Sequence, residues 1–139
     1  STSPSPQHIF ATYGFHAVTL TIANSNGCIH SVTKQVLVNP KPVADFSFSP
    51  VSCLGLPVSF FNQSFVPSGY SSSIHIWHWV FGDGHDTTIT SPGNPDVTHT
   101  FSGYATSHVV TLTVTTSAGC VNMVSKTVTS VGPQLTGLG

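Results

Sequence analysis

The sequence contains no arginine and no glutamate. Lys34, Lys41 and Lys126 stand against Asp45, Asp83, Asp86 and Asp96, so only 5% of its 139 residues are charged, where a soluble domain averages about 25%. Nucleic-acid binding driven by counterion release needs clustered basic side chains, which three scattered lysines cannot form. A polybasic contact with an anionic membrane fails for the same reason. Coiled coils and long solvated helices draw on Glu, Lys and Arg and are excluded with them. Long apolar runs are missing too, since none approaches the ~18 residues of a membrane helix. No segment carries a 3.6-residue period.

Catalytic signatures are equally scarce. The four aspartates are scattered, and there is no Gly-x-Ser-x-Gly elbow, no His-Glu-x-x-His pattern and no Cys-x-x-Cys pair. The chain therefore reads as non-catalytic, with no metal and no cofactor expected. It opens without an initiator Met or a signal-peptide core and is read as a processed product or a fragment. A neutral surface favours association, which makes self-association the first partner expectation.

Strand signals and an internal repeat are abundant. Alternation with β-branched and aromatic residues predicts strands over 43–48, 58–64, 74–81, 87–90, 108–115 and 121–129. A hairpin of 18–23 and 31–38 turns at Asn24-Ser25-Asn26-Gly27. Val18-Thr19-Leu20-Thr21 returns as Val110-Thr111-Leu112-Thr113, Gly27-Cys28 as Gly119-Cys120, and Val32 with Lys34 as Val124 with Lys126, each 92 positions later. His8-Ile9-Phe10 returns as His99-Thr100-Phe101, and Thr2-Ser3-Pro4 resembles Thr90-Ser91-Pro92. The organisation predicted is all-β: residues 1–39 as the C-terminal half of one repeat, 40–131 as a complete repeat of two packed antiparallel sheets, and 132–139 as a tail or linker. Alternation puts His75, Trp77, Trp79 and Phe81 on one inward face, with Phe46, Phe48, Val58, Phe60, Val110, Leu112 and Val114 inward on other strands. Phe61 is predicted exposed. Val18, Leu20 and Ile22 form the corresponding set in the half repeat, where a lone hairpin would leave them bare, so the chain is expected to be an excerpt of a longer tandem-repeat protein or to associate with itself head-to-tail, a neighbouring chain completing residues 1–39.

Trp77-His78-Trp79-Val80-Phe81-Gly82-Asp83-Gly84 resembles the aromatic-x-Trp-x-Phe-Gly-Asp-Gly motif of the polycystic kidney disease (PKD) domain family. Pro42-Val43-Ala44-Asp45-Phe46 and Val58-Ser59-Phe60-Phe61-Asn62-Gln63-Ser64 are similar to that family's first two strands. His99-Thr100-Phe101 and Val110-Thr111-Leu112-Thr113-Val114 are similar to later ones. A departure is Ser102 to His108, longer than the family's usual Gly-x-Tyr step. The resemblance implies an immunoglobulin-like sandwich, an extracellular or cell-surface location, and a spacer, adhesion or accessory role, either as a link in an adhesin or self-assembling fibre or as a carbohydrate- or protein-binding module beside a secreted hydrolase. A surface polysaccharide or protein is then a second partner class, and nucleic acid and membrane insertion are excluded.

In that setting Phe81-Gly82-Asp83-Gly84 is read as a structural turn; two local carboxylates, Asp83 and Asp86, fall short of a calcium site's six to eight oxygens. Trp77 and Trp79 are read as core, and a sugar platform would instead use Phe61, Tyr70 or Tyr104. His75 and His78 are not a natural ligand pair, while His8 and His99, equivalent in the repeat, suggest a structural hydrogen bond. Cys53 and Cys120 are expected to form a disulfide, worth about 4 kcal/mol on the chain-entropy model. Cys28 copies Cys120, and its partner would lie before residue 1, so it is free, intermolecular or paired with a segment outside this sequence.

Overall fold

The computed structural model describes residues 2–49, 55–101 and 107–129. The chain divides into two compact units, Ser1–Pro40 and Lys41–Gly139. The expected tail at 132–139, Cys53 and the long step after Phe101 lie wholly or largely outside the described residues.

Unit one holds strands β1 (Gly14–Ala23) and β2 (Ile29–Val38), paired antiparallel. In unit two, β3 (Phe46–Phe48), β4 (Pro57–Asn62) and β7 (Val97–Thr100) make a three-stranded sheet in the order β3-β4-β7. β5 (Ile74–Val80), β6 (Asp86–Thr90), β8 (Ser107–Thr116) and β9 (Val121–Thr129) make a four-stranded sheet ordered β6-β5-β8-β9. The described pairings are antiparallel.

The core lies between these two sheets. β8 alternates without interruption: His108, Val110, Leu112, Val114 and Thr116 are buried, and the residues between them are not. Trp79 from one sheet meets Phe46 edge-on (centroids 5.2 Å apart) and Phe60 at 5.7 Å from the other. Both tryptophans, Phe81, Val58 and Phe60 are buried as expected, and Phe61 is exposed. Lys126 of β9 reaches across to β3, where Nζ sits 2.8 Å from Asp45 Oδ1, donates to the Phe46 carbonyl and lies over the Phe46 ring. The Lys126 ammonium, donating to the Asp45 carboxylate, holds that carboxyl below the usual range.

One expectation is corrected. His75 does not join the inward face: it is exposed, because the β5–β8 register shifts between Ile74 and Ile76, and such a bulge changes which side successive residues take. β7 covers His99 and Thr100, which the family resemblance places in a strand but alternation does not; it exists through its pairing with β4, from Pro57↔Thr100 to Phe60↔Val97.

The two long hairpins share register and hydrogen bonds position by position. Val18↔Lys34 and Leu20↔Val32 in β1–β2 recur as Val110↔Lys126 and Leu112↔Val124 in β8–β9. The Thr19–Thr33 hydroxyl bond (2.8 Å) recurs as Thr111–Ser125 (2.7 Å). At both turns a glycine amide donates to the carbonyl three residues earlier, Gly27 to Asn24 and Gly119 to Thr116, with φ of 82° and 85°. Asn24 Oδ1 accepts the Cys28 amide and Thr116 Oγ1 accepts the Cys120 amide. Burial is what differs. Val110, Leu112, Val114 and Val128 are fully buried, whereas Val18, Leu20, Ile22 and Val36 are 43, 61, 59 and 39% exposed.

Candidate functional site

β5 delivers Phe81 to a tight turn. The Phe81 amide donates to the His85 carbonyl (3.0 Å), and the His85 amide donates to Asp83 Oδ1 (3.1 Å), an Asx-type turn. Gly82 has φ of +81°, and a Cβ there would stand 2.5 Å from the Val109 carbonyl oxygen of β8. Gly84 has φ of +93° but open space around it. We predict that Gly82→Ala costs about 3 kcal/mol, from the left-handed backbone plus the clash, and Gly84→Ala about 1 kcal/mol, from the backbone alone. Urea unfolding midpoints of the two variants check this ordering.

The turn aims Asp83 at β7. His99 Nε2 donates to Asp83 Oδ2 at 2.7 Å, and His85 Nδ1 lies 3.3 Å from Asp83 Oδ1. The Asp83 and His99 side chains are only 9 and 14% exposed, that of His85 70%. Burial pushes the Asp83 carboxyl up, but the hydrogen bonds from His99 and from the His85 amide and ring outweigh it and hold it below the usual carboxylate range. The His99 ring stacks on Phe81 (4.0 Å, 6°) and meets Phe101 edge-on (4.8 Å, 83°), and Phe101 stacks on His108 (4.4 Å, 15°). The structural hydrogen bond expected of His99 is thus present.

Its repeat partner keeps the rings without the acid. His8 meets Phe10 edge-on (4.6 Å, 81°) and Phe10 stacks on His16 (4.5 Å, 25°), the arrangement of His99, Phe101 and His108.

Asp83 and Asp86 do not converge on one site: Asp86 Oδ2 pairs with His78 Nε2 at 2.9 Å. Trp79 Nε1 donates to the Pro95 carbonyl. Trp77 Nε1 is buried with no partner among the described residues. Of the residues expected for a sugar platform, Phe61 is exposed, Tyr70 is half-buried and Tyr104 lies outside the described residues. The Cys53–Cys120 pairing falls outside them through Cys53. Cys120 is half-buried, and Cys28 is exposed with no disulfide partner among the described residues. Sequence reasoning missed His85. The signal was Asp83-Gly84-His85 itself, because an aspartate that caps the amide two residues on brings that residue's side chain near.

A second feature is the bare face of β1–β2, a shallow apolar groove lined by Val18, Leu20, Val32, Lys34 and Val36. Among the described residues no helix is long and apolar enough to cross a membrane.

Residues 39–131 match the family model for the PKD domain. Among solved structures, the chain is similar to the PKD1 domain of Vibrio anguillarum Epp (28% identity, TM-score 0.55, covering 68% of this chain and 99% of that one). It is similar to the PKD1 domain from the Vibrio cholerae metalloprotease PrtV (28%, 0.52, covering 66 and 98%). It also resembles a structure described as the basis for promiscuous specificity of carbohydrate-binding modules from the β-sandwich superfamily (28%, 0.59), over 69% of this chain but 36% of that one. None of the curated proteins compared with the chain matches it.

Proposed function

The chain belongs to the PKD domain family through residues 39–131, and from that premise we propose that it is a non-catalytic structural link of an extracellular tandem-repeat protein, a surface adhesin or fibre. Residues 1–39 are, on this reading, the closing half of a second unit. The observation that carries it is the same hairpin in two states: β8–β9 buried in a sandwich, β1–β2 with equivalent side chains bare.

The complete unit supplies a template for what covers that face. Leu112 and its neighbours have the Trp79 strand paired alongside them in their own sheet, and Phe46 and Phe60 in the sheet that faces it. Asp83 serves His99, and Asp45 serves Lys126. His8 and Lys34, the copies of His99 and Lys126, call for the same two acids from the completing segment. Under the expected Cys53–Cys120 pairing, Cys28 calls for a cysteine from it as well.

Head-to-tail completion of residues 1–39 by the opening half of a neighbouring copy would leave that neighbour's own closing half uncovered. Each copy carries one opening half, residues 41–89, for two closing halves. A face left bare in this way drives association.

We predict concentration-dependent self-association of the 139-residue chain that Leu20→Lys suppresses without moving the unfolding midpoint of unit two. Sedimentation velocity with parallel urea titrations reads both. A wild-type chain that stays monomeric as concentration rises defeats the reading. The carbohydrate-binding module among the similar structures favours one second reading, an accessory polysaccharide-binding module. On that reading the chain stays monomeric and is retained on insoluble polysaccharide.

A further inference from the structure

We propose that Asp83, His85 and His99 form a binding site for one divalent transition-metal ion of the borderline class, with Zn²⁺ as representative. The three ligand atoms lie within 4.8 Å of one another, and the inference is independent of how the half unit is completed. The sequence expectation of no metal rested on the lack of a contiguous ligand pattern. The fold assembles the ligands from two segments, the turn after β5 and strand β7.

The donor set selects the metal class. Two imidazole nitrogens and one carboxylate suit Zn²⁺, Co²⁺, Ni²⁺ or Cu²⁺. Ca²⁺ wants six to eight oxygens and finds one carboxylate here. Zn²⁺ bonds of about 2.0–2.2 Å at tetrahedral angles put neighbouring ligand atoms about 3.3 Å apart. The Asp83–His85 spacing is already 3.3 Å. That spacing is to Oδ1, whereas His99 Nε2 stands 2.7 Å from the other oxygen, Oδ2, so the carboxylate presents both oxygens to the ion and the His99 pair must open by about 0.6 Å to reach ligand spacing. The ion takes the place of the Nε2 proton between them, so His99 ligates as its Nδ1–H tautomer.

Two of the ligands are pre-positioned. His99 is clamped between the Phe81 face and the Phe101 edge, and Asp83 is anchored by the His85 amide. His85 is exposed and can swing to close the site, which leaves the fourth position open to solvent as in three-ligand zinc sites.

Zn²⁺ titration of the full chain tests this, by calorimetry and by NMR of the histidine rings, in a Cys28→Ser background so that the exposed thiol cannot take the ion. The expected result is one Zn²⁺ per chain, with the His85 and His99 rings shifting together. His85→Ala should weaken binding by about tenfold or more, equivalent to about 1.4 kcal/mol, while the metal-free protein melts as before. His78→Ala, which removes the other histidine–aspartate pair, should leave the affinity unchanged. Absence of binding, shifts confined to histidines other than 85 and 99, or equal affinity in His85→Ala would each overturn the proposal.

Discussion

Leu112→Ala should destabilise unit two by about 2–5 kcal/mol, the range for a leucine removed from a packed core. Leu20→Ala, the same substitution at the equivalent position of the other hairpin, should change stability by less than about 0.5 kcal/mol. The two leucines share register, neighbours on the partner strand and local sequence. They differ in that Leu112 is fully buried and Leu20 is 61% exposed. The hydrophobic contribution scales with area removed from water, so local sequence cannot decide the outcome and the facing layer must. Urea titrations that follow Trp77 and Trp79 fluorescence for unit two, and hydrogen exchange at the β1–β2 amides for unit one, measure each term separately. Equal losses at the two positions would mean that something already covers the hairpin.

What could be read from the sequence follows the same division between local and non-local causes. β9 falls at Val121–Thr129, the boundaries its alternation predicts, and β8 lies within a residue of its prediction at each end. Both have long, unbroken period-2 patterns, and their hairpin partner follows directly in sequence. The inward Trp77, Trp79 and Phe81 were legible for that reason. β7 was legible only through the family resemblance of His99-Thr100-Phe101 and not through alternation, because Val97-Thr98-His99-Thr100 offers a single apolar residue and becomes a strand only through β4, some 40 positions earlier. The bulge that exposes His75 is set by how β5 meets β8, again a non-local matter. At the candidate site the sequence exposed Asp83 and His99 separately, as a turn residue and a repeated histidine. Their 2.7 Å bond depends on the turn after β5 meeting β7, which no spacing along the chain encodes.

Duplicating residues 41–89 ahead of Thr2 should convert the β1–β2 hairpin into the closing half of a sandwich. The junction is fixed by the match of Thr2-Ser3-Pro4 to Thr90-Ser91-Pro92. Val18, Leu20, Ile22 and Val36 are about half-exposed now, and burying them as Val110, Leu112, Val114 and Val128 are buried is worth about 1 kcal/mol each. The sum, about 4 kcal/mol, corresponds to roughly 10³-fold slower amide exchange in β1–β2, which would approach the protection of β8–β9. Polar partners should arrive with the apolar ones. The duplicated Asp83 meets His8, the duplicated Asp45 meets Lys34, and the duplicated Cys53 meets Cys28, whose thiol then resists alkylation of the unfolded, unreduced protein. Self-association should fall away in the same molecule, because the face that causes it is covered. If β1–β2 exchange and Cys28 reactivity are unchanged by the duplication, the hairpin is not a half of this fold, and its likeness to β8–β9 ends at the register. If both change together, the apolar face, His8, Lys34 and Cys28 have a single explanation, a missing opening half with the pattern of residues 41–89.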